Sequence, residues 1–175
     1  YRHLIPDGDP AALAQFRRVG IVAVDDRPPP LAEALAGVAE PVLVCGHSHI
    51  SWQQRTGARL VLNPGSVGSP ANGDWRAQYA LLTWAPGGWQ VEFRAVTYDR
   101  ARMRAAFVES GYLAAGNAFA RACMVGADTG LNVPGALVDH AIRLAAEGGW
   151  TWDDMPDEVW DRATETFDWP RLDGN

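Results

Sequence analysis

Short apolar runs of strand length punctuate this chain up to residue 98, and then they stop. Pro41 to Cys45 is one such run and ends at Gly46. Arg59 to Asn63 is another and ends at Pro64-Gly65. Tyr79 to Trp84 is a third, Pro86-Gly87-Gly88 reads as a turn, and Trp89 to Tyr98 is a fourth. In the fourth, Trp89, Val91, Phe93 and Ala95 alternate with Gln90, Glu92 and Arg94, the pattern of a strand with one wet face. The third and fourth runs are expected to pair as a hairpin. From Asp99 onward the period becomes helical. Helices are expected over 101–109, 115–125, 134–147 and 157–167, the third with Pro134 in its first turn and Gly148-Gly149 at its stop. Upstream, 11–18 and 31–38 read as short helices and 21–24 as a short buried strand. The fold class is therefore α/β, with a strand-bearing part over 1–98 and a helical C-terminal extension over 99–175. That extension is expected to pack on the sheet through Leu137, Ile142, Trp150, Trp160 and Phe167.

Composition narrows the partners. The chain is 47% hydrophobic and 21% charged, which suits a globular protein and not a disordered one. No apolar run approaches the ~18 residues a membrane-spanning helix needs. The net charge of −6 disfavours a nucleic-acid partner, because phosphate-backbone binding draws on basic surfaces. All fifteen basic residues are Arg, a compositional bias and not a site. Cys45 and Cys123 are too few for a disulfide framework and read as a reduced pair. With no basic and apolar leader in view, a cytoplasmic protein is expected. A homo-oligomer is left open.

Two loops carry the chemistry. Gly46-His47-Ser48-His49 follows directly on a predicted buried strand. Imidazoles at i and i+2 in a strand-to-loop turn can both face the open edge above a sheet, and neutral imidazole is a common ligand for Zn, Mn, Fe and Ni. Two histidines alone do not complete a metal site. Asn63-Pro64-Gly65-Ser66-Val67-Gly68 also follows a strand. It reads first as a tight turn, whose amides could alternatively hold an anion.

Together, Pro41 through His49, a short hairpin, Arg59 through Gly68, and Gly73 through Leu82 resemble the C-terminal half of a calcineurin-like metallophosphoesterase. The similarity covers about residues 38–98 and lies nearest the small phosphodiesterase branch related to the YfcE-type enzymes. It implies a four-layer α/β/β/α sandwich with two divalent metal ions (Mn, Fe, Zn or Ni) at the strand ends. It also implies that His47 and His49 are metal ligands, one to each ion. The activity implied is metal-dependent hydrolysis of a phosphodiester or monoester, the substrate being a small phosphate ester or a nucleotide. In such sites the ions bridge a hydroxide that attacks phosphorus in line. The family's Asp-x-His and Gly-Asn-His segments are absent here, and the chain opens Tyr1-Arg2-His3 without Met. The first half of the enzyme is therefore expected to lie outside this sequence. The rival readings are a non-catalytic scaffold of the same fold that binds a protein partner, and an α/β binding module without metal.

The remaining marked residues have plainer readings. Trp52 is expected to pack, with a substrate-pocket wall as the alternative. Arg55 reads as a solvated hairpin residue and His140 as structural. Asp153, Asp154, Asp157 and Glu158 lack calcium-loop spacing and suit helix N-termini.

Overall fold

The computed structural model describes residues 4–8, 10–18 and 29–172. Helix α1 spans Pro10–Arg18 and α2 spans Leu31–Ala34. Strands β1 (Val42–Val44), β2 (Ser51–Thr56) and β3 (Arg59–Pro64) form one sheet in the order β1-β3-β2. Strand β3 runs parallel to β1 and antiparallel to β2. Strands β4 (Ala77–Ala85) and β5 (Gly88–Val96) make a separate two-stranded antiparallel sheet. Helices α3 (Arg100–Glu109), α4 (Tyr112–Thr129), α5 (Val133–Glu147) and α6 (Asp157–Thr166) follow. The expected strand over 21–24 lies outside the described residues. The mixed α/β class and the change from strands to helices near residue 99 are as expected; among the described residues the strands form two separate sheets.

Central strand β3 is buried from Leu60 to Asn63, because a partner flanks it on each edge. Phe16 of α1, Leu31 and Leu35 pack with Ile5, Ile50, Trp52 and Val61 in one core. Removing a side chain such as Phe16 or Leu31 from water contributes about 1.5–3 kcal/mol. The second helix is one turn long where two were expected. Gly37, at φ +86°, turns the chain before the helix can continue, yet Leu31 and Leu35 both keep their buried places. Strand β2 has no apolar alternation in Ser-Trp-Gln-Gln-Arg-Thr and gave no strand signal. It is an edge strand, held by its ladder to β3 and by the tight turn at Gly57, φ +62°.

The β4–β5 hairpin forms as anticipated, but its dry face is incomplete, since Phe93 is 36% exposed and no residue of β5 is fully buried. Trp84 and Trp89 face each other across the ladder with ring centroids 5.4 Å apart. The helical extension builds a second core from Ala122, Val125, Val133 and Leu137, covered by Phe167, Trp169 and Leu172. The expected packing on the sheet is not seen: Leu137 and Phe167 serve this separate core, while Ile142 is 41% exposed and Trp150 is 46% exposed. Helix α5 turns Val133, Leu137, Ala141 and Ala145 inward. Ile142 follows Ala141 by about 100° around the axis and so leaves that face. Trp160 stacks on Trp152 at 5.9 Å instead of on a strand.

The two cores meet at the 72–75 turn. The Gly73 N–H donates to the Gly130 carbonyl at 2.9 Å. Trp75 lies edge-on to Tyr98 and beneath the Arg100 guanidinium, while the Tyr98 hydroxyl donates to the Ala127 carbonyl at 2.8 Å. Arg100 and Arg104 both reach Asp128, which is fully buried, and so lock α3 onto α4.

Candidate functional site

Strand β1 delivers the histidine tetrad. Its parallel ladder with β3 continues to Cys45, whose N–H donates to the Leu62 carbonyl at 2.8 Å. The chain then turns hard. Ser48 N–H donates to Gly46 C=O at 3.0 Å, closing a three-residue turn with His47 at φ +74° in its centre. This is the rare, strained hand of the γ-turn. His49 follows at φ +58°. Left-handed backbone at two residues bearing side chains costs free energy, and it persists where surrounding contacts over-determine it. Both histidines are accessible: His47 is exposed and His49 half-buried.

Asn63 supplies much of that over-determination. Its amide is fully buried at the end of β3. Nδ2 donates to the Gly46 carbonyl at 3.0 Å and to Ser48 Oγ at 2.9 Å, while Oδ1 accepts the Gly65 N–H at 3.0 Å. One side chain thus ties the histidine turn to the Asn63-Pro64-Gly65 turn. Ser48, 1% exposed, is the buried anchor between the two histidines. A second brace runs through Gln78. Its amide pairs reciprocally with Asn72 at 2.8 and 3.0 Å, and its N–H donates to the Ser66 carbonyl. Gly65, at φ +87°, admits this contact, since a Cβ there would sit 2.9 Å from Gln78 Oε1. Ala71 N–H donates to the His49 carbonyl at 3.2 Å, closing the frame from behind.

The sequence singled out the tetrad and the Asn63 turn but missed the roles of Ser48, Asn72 and Gln78. Polar side chains that work by mutual hydrogen bonding have no periodic signature. Within the Asn63 turn, Gly65 N–H is taken by Asn63 and Ser69 N–H by Ser66 Oγ, so these two amides brace the loop and do not face a ligand. Trp52 is packed in the core at 8% exposure, and its indole N–H is buried with no partner among the described residues. Arg55 donates to the Trp89 carbonyl, joining β2 to the hairpin. His140 bonds Thr166 at 2.8 Å and rests near Phe167, the structural role expected. Asp154 caps Thr151, and Asp157 and Glu158 open α6, consistent with the helix-terminus reading. His3 lies outside the described residues.

Cys45 and Cys123 are free. Burial pushes the Cys45 thiol up to about 11, so in the metal-free fold it keeps its proton near neutral pH. No described helix is long and apolar enough to cross a membrane.

Residues 5–86 match the family model of the calcineurin-like phosphoesterase superfamily domain. The match starts upstream of the 38–98 resemblance, taking in α1 and α2, and ends in the β4–β5 turn. At the level of that superfamily it points to metal-dependent hydrolysis of phosphoesters by a domain that binds divalent metals. No curated protein and no solved structure matches the chain.

Whether the residues fit a metal pair is a matter of ligand number. Among the described residues no group of three or more His, Cys, Asp and Glu side chains is placed to hold an ion. Two dications close enough to share a bridging oxygen need carboxylates to offset their repulsion. The described residues therefore supply a braced pair of imidazoles and not a complete two-metal centre.

Proposed function

We propose that this chain contributes His47 and His49 to the binuclear-metal site of a phosphoesterase with the four-layer sandwich fold, of the YfcE-like branch. The observation that carries the reading is the strained turn that holds His47 and His49 just past β1 and is clamped by Asn63 from the end of buried strand β3. The remaining ligands lie outside the described residues, and residues 99–175 form a helical extension docked on the phosphoesterase part. The substrate is a small phosphodiester, monoester or nucleotide, and the setting is cytoplasmic. The two imidazoles alone carry no step of the reaction.

The test is a rate comparison on a generic aryl phosphodiester at fixed Mn²⁺. The protein that supplies every ligand should turn over, and His49→Ala in it should lower the rate by at least ~10²-fold, on the scale of losing a metal-dependent step. Residues 1–175 alone should not exceed a metal-only control. Equal activity of parent and His49→Ala removes His49 from the site. Absence of turnover in every form, at any metal, favours the scaffold reading, for which the missing third ligand among the described residues is the supporting observation.

A further inference from the structure

A cleft of about 860 Å³ opens between the end of α1, the Asn72-Gly73 turn, α5 and the segment after α6. That volume falls within the range of small-molecule sites, which favour junctions between parts of a fold. Ala136, Asp139 and Arg143 recur every three or four residues on one face of α5 and, with its N-cap Asn132, wall the cleft. The adjoining face of the helix is spent on the core of the helical extension. Arg17 and Arg18, the last two residues of α1, also line it.

Three guanidiniums thus converge with two carboxylates, Asp139 and Asp168, in a chain whose overall charge is −6. Arg18 and Arg143 are exposed and make no ion pair among the described residues. Arg143 also opposes the upward push that burial exerts on the Asp139 carboxyl, so the charge of that carboxylate is locally offset. Apart from Asn72, Asn132 and the Gly73 backbone, the rest of the wall is apolar. Phe167 and Leu131 border it, and Leu131 is left 41% exposed at its edge.

We propose that this cleft binds a small organic anion with an apolar body, its oxyanion held by Arg18 and Arg143 and its body against Phe167 and Leu131. Guanidinium is suited to the head group because its fork matches a planar oxyanion. The apolar wall supplies the second half of the recognition, because an inorganic anion would leave it wet. This inference does not depend on the phosphoesterase reading, and a carboxylate probe keeps the two separate.

The experiment is a calorimetric titration of the chain with naphthalene-2-carboxylate at low salt. Two arms dissect the probe: naphthalene-2-methanol has the body without the charge, and acetate has the charge without the body. The carboxylate should bind at least about tenfold more tightly than either arm, on the scale of one charge-assisted hydrogen bond. Arg143→Ala should weaken it by about fivefold to tenfold. Ala136→Trp, a substitution at an exposed position on the cleft face, should abolish it by filling the space. Circular dichroism identifies a variant that has not folded, and the other variant then decides. Binding no tighter than both arms, or titrations unaltered in the folded variants, overturns the proposal.

Discussion

At the scale of single residues, Asn63 has the largest consequence for the candidate site. Three hydrogen bonds meet on its buried amide. Asn63→Ala would strand Ser48 Oγ and the Gly46 carbonyl without that donor and open a small void. The expected cost is about 2–4 kcal/mol, measurable by urea denaturation. The loss should also release the left-handed conformations of His47 and His49, visible as averaging of their backbone amide signals in NMR. Cys45 makes a different prediction. Its thiol titrates near 9 when unperturbed and near 11 in the fold, because burial disfavours the thiolate. A raised value means that the folded state keeps its proton while the unfolded chain loses it. The contribution is therefore complete below about 9 and is lost as pH rises towards about 11. Denaturation midpoints should fall over that window, and Cys45→Val should flatten the fall.

At the scale of elements, the helical extension is organised around a buried charge. Asp128 has no solvent exposure and accepts from Arg100 at 2.8 and 3.0 Å and from Arg104 at 2.7 Å. Both arginines come from α3, which contributes no fully buried residue of its own. That helix is therefore held chiefly by its ion pairs to α4 and by the Arg100 contact on Trp75 in the 72–75 turn. Breaking such a pair from one side costs more than the pair contributes when intact, because the remaining charges lose their partner. Asp128→Asn should cost about 2–4 kcal/mol. Hydrogen exchange should quicken first in α3, ahead of α5, whose apolar face is buried independently.

For the whole molecule, the question is how the sheet part and the helical extension share stability. Their cores are separate, but Gly130 joins them. It ends α4 in the left-handed conformation at φ +73°, and a Cβ there would come within 2.6–2.8 Å of the Asp74 and Trp75 backbone. Backbone cannot give way as a flexible side chain does. Gly130→Ala should thus cost at least about 2 kcal/mol and pry the 72–75 turn from the helices. In the parent chain, unfolding followed by far-ultraviolet dichroism and by tryptophan fluorescence should coincide. In Gly130→Ala the two curves should separate as the helical extension loosens first; coincident curves in both proteins would show that the junction does not couple the two cores.

Much of this protein was legible from residue order alone. Period-two alternation placed the β4–β5 hairpin, and glycine and proline punctuation bounded α5, because these signals are local properties of backbone and pleat. The Gly-His-x-His tetrad and the Asn-Pro-Gly-Ser turn were visible for the same reason, being short and each set after an apolar run. Tertiary structure decided the rest. Strand β2 exists because β3 offers it a ladder, not because its own residues alternate. The helical extension buried Leu137 but left Ile142 and Trp150 outside, since a helix turns only one face to its neighbours and sequence does not say which of two apolar edges wins. Ser48, Gln78 and Asn72 acquired roles only once the chain brought them within hydrogen-bond reach. The left-handed turn at His47 and His49 belongs to the same category. No local preference favours it at these residues, and it stands because Asn63, fourteen positions beyond His49, donates across the strands to hold it.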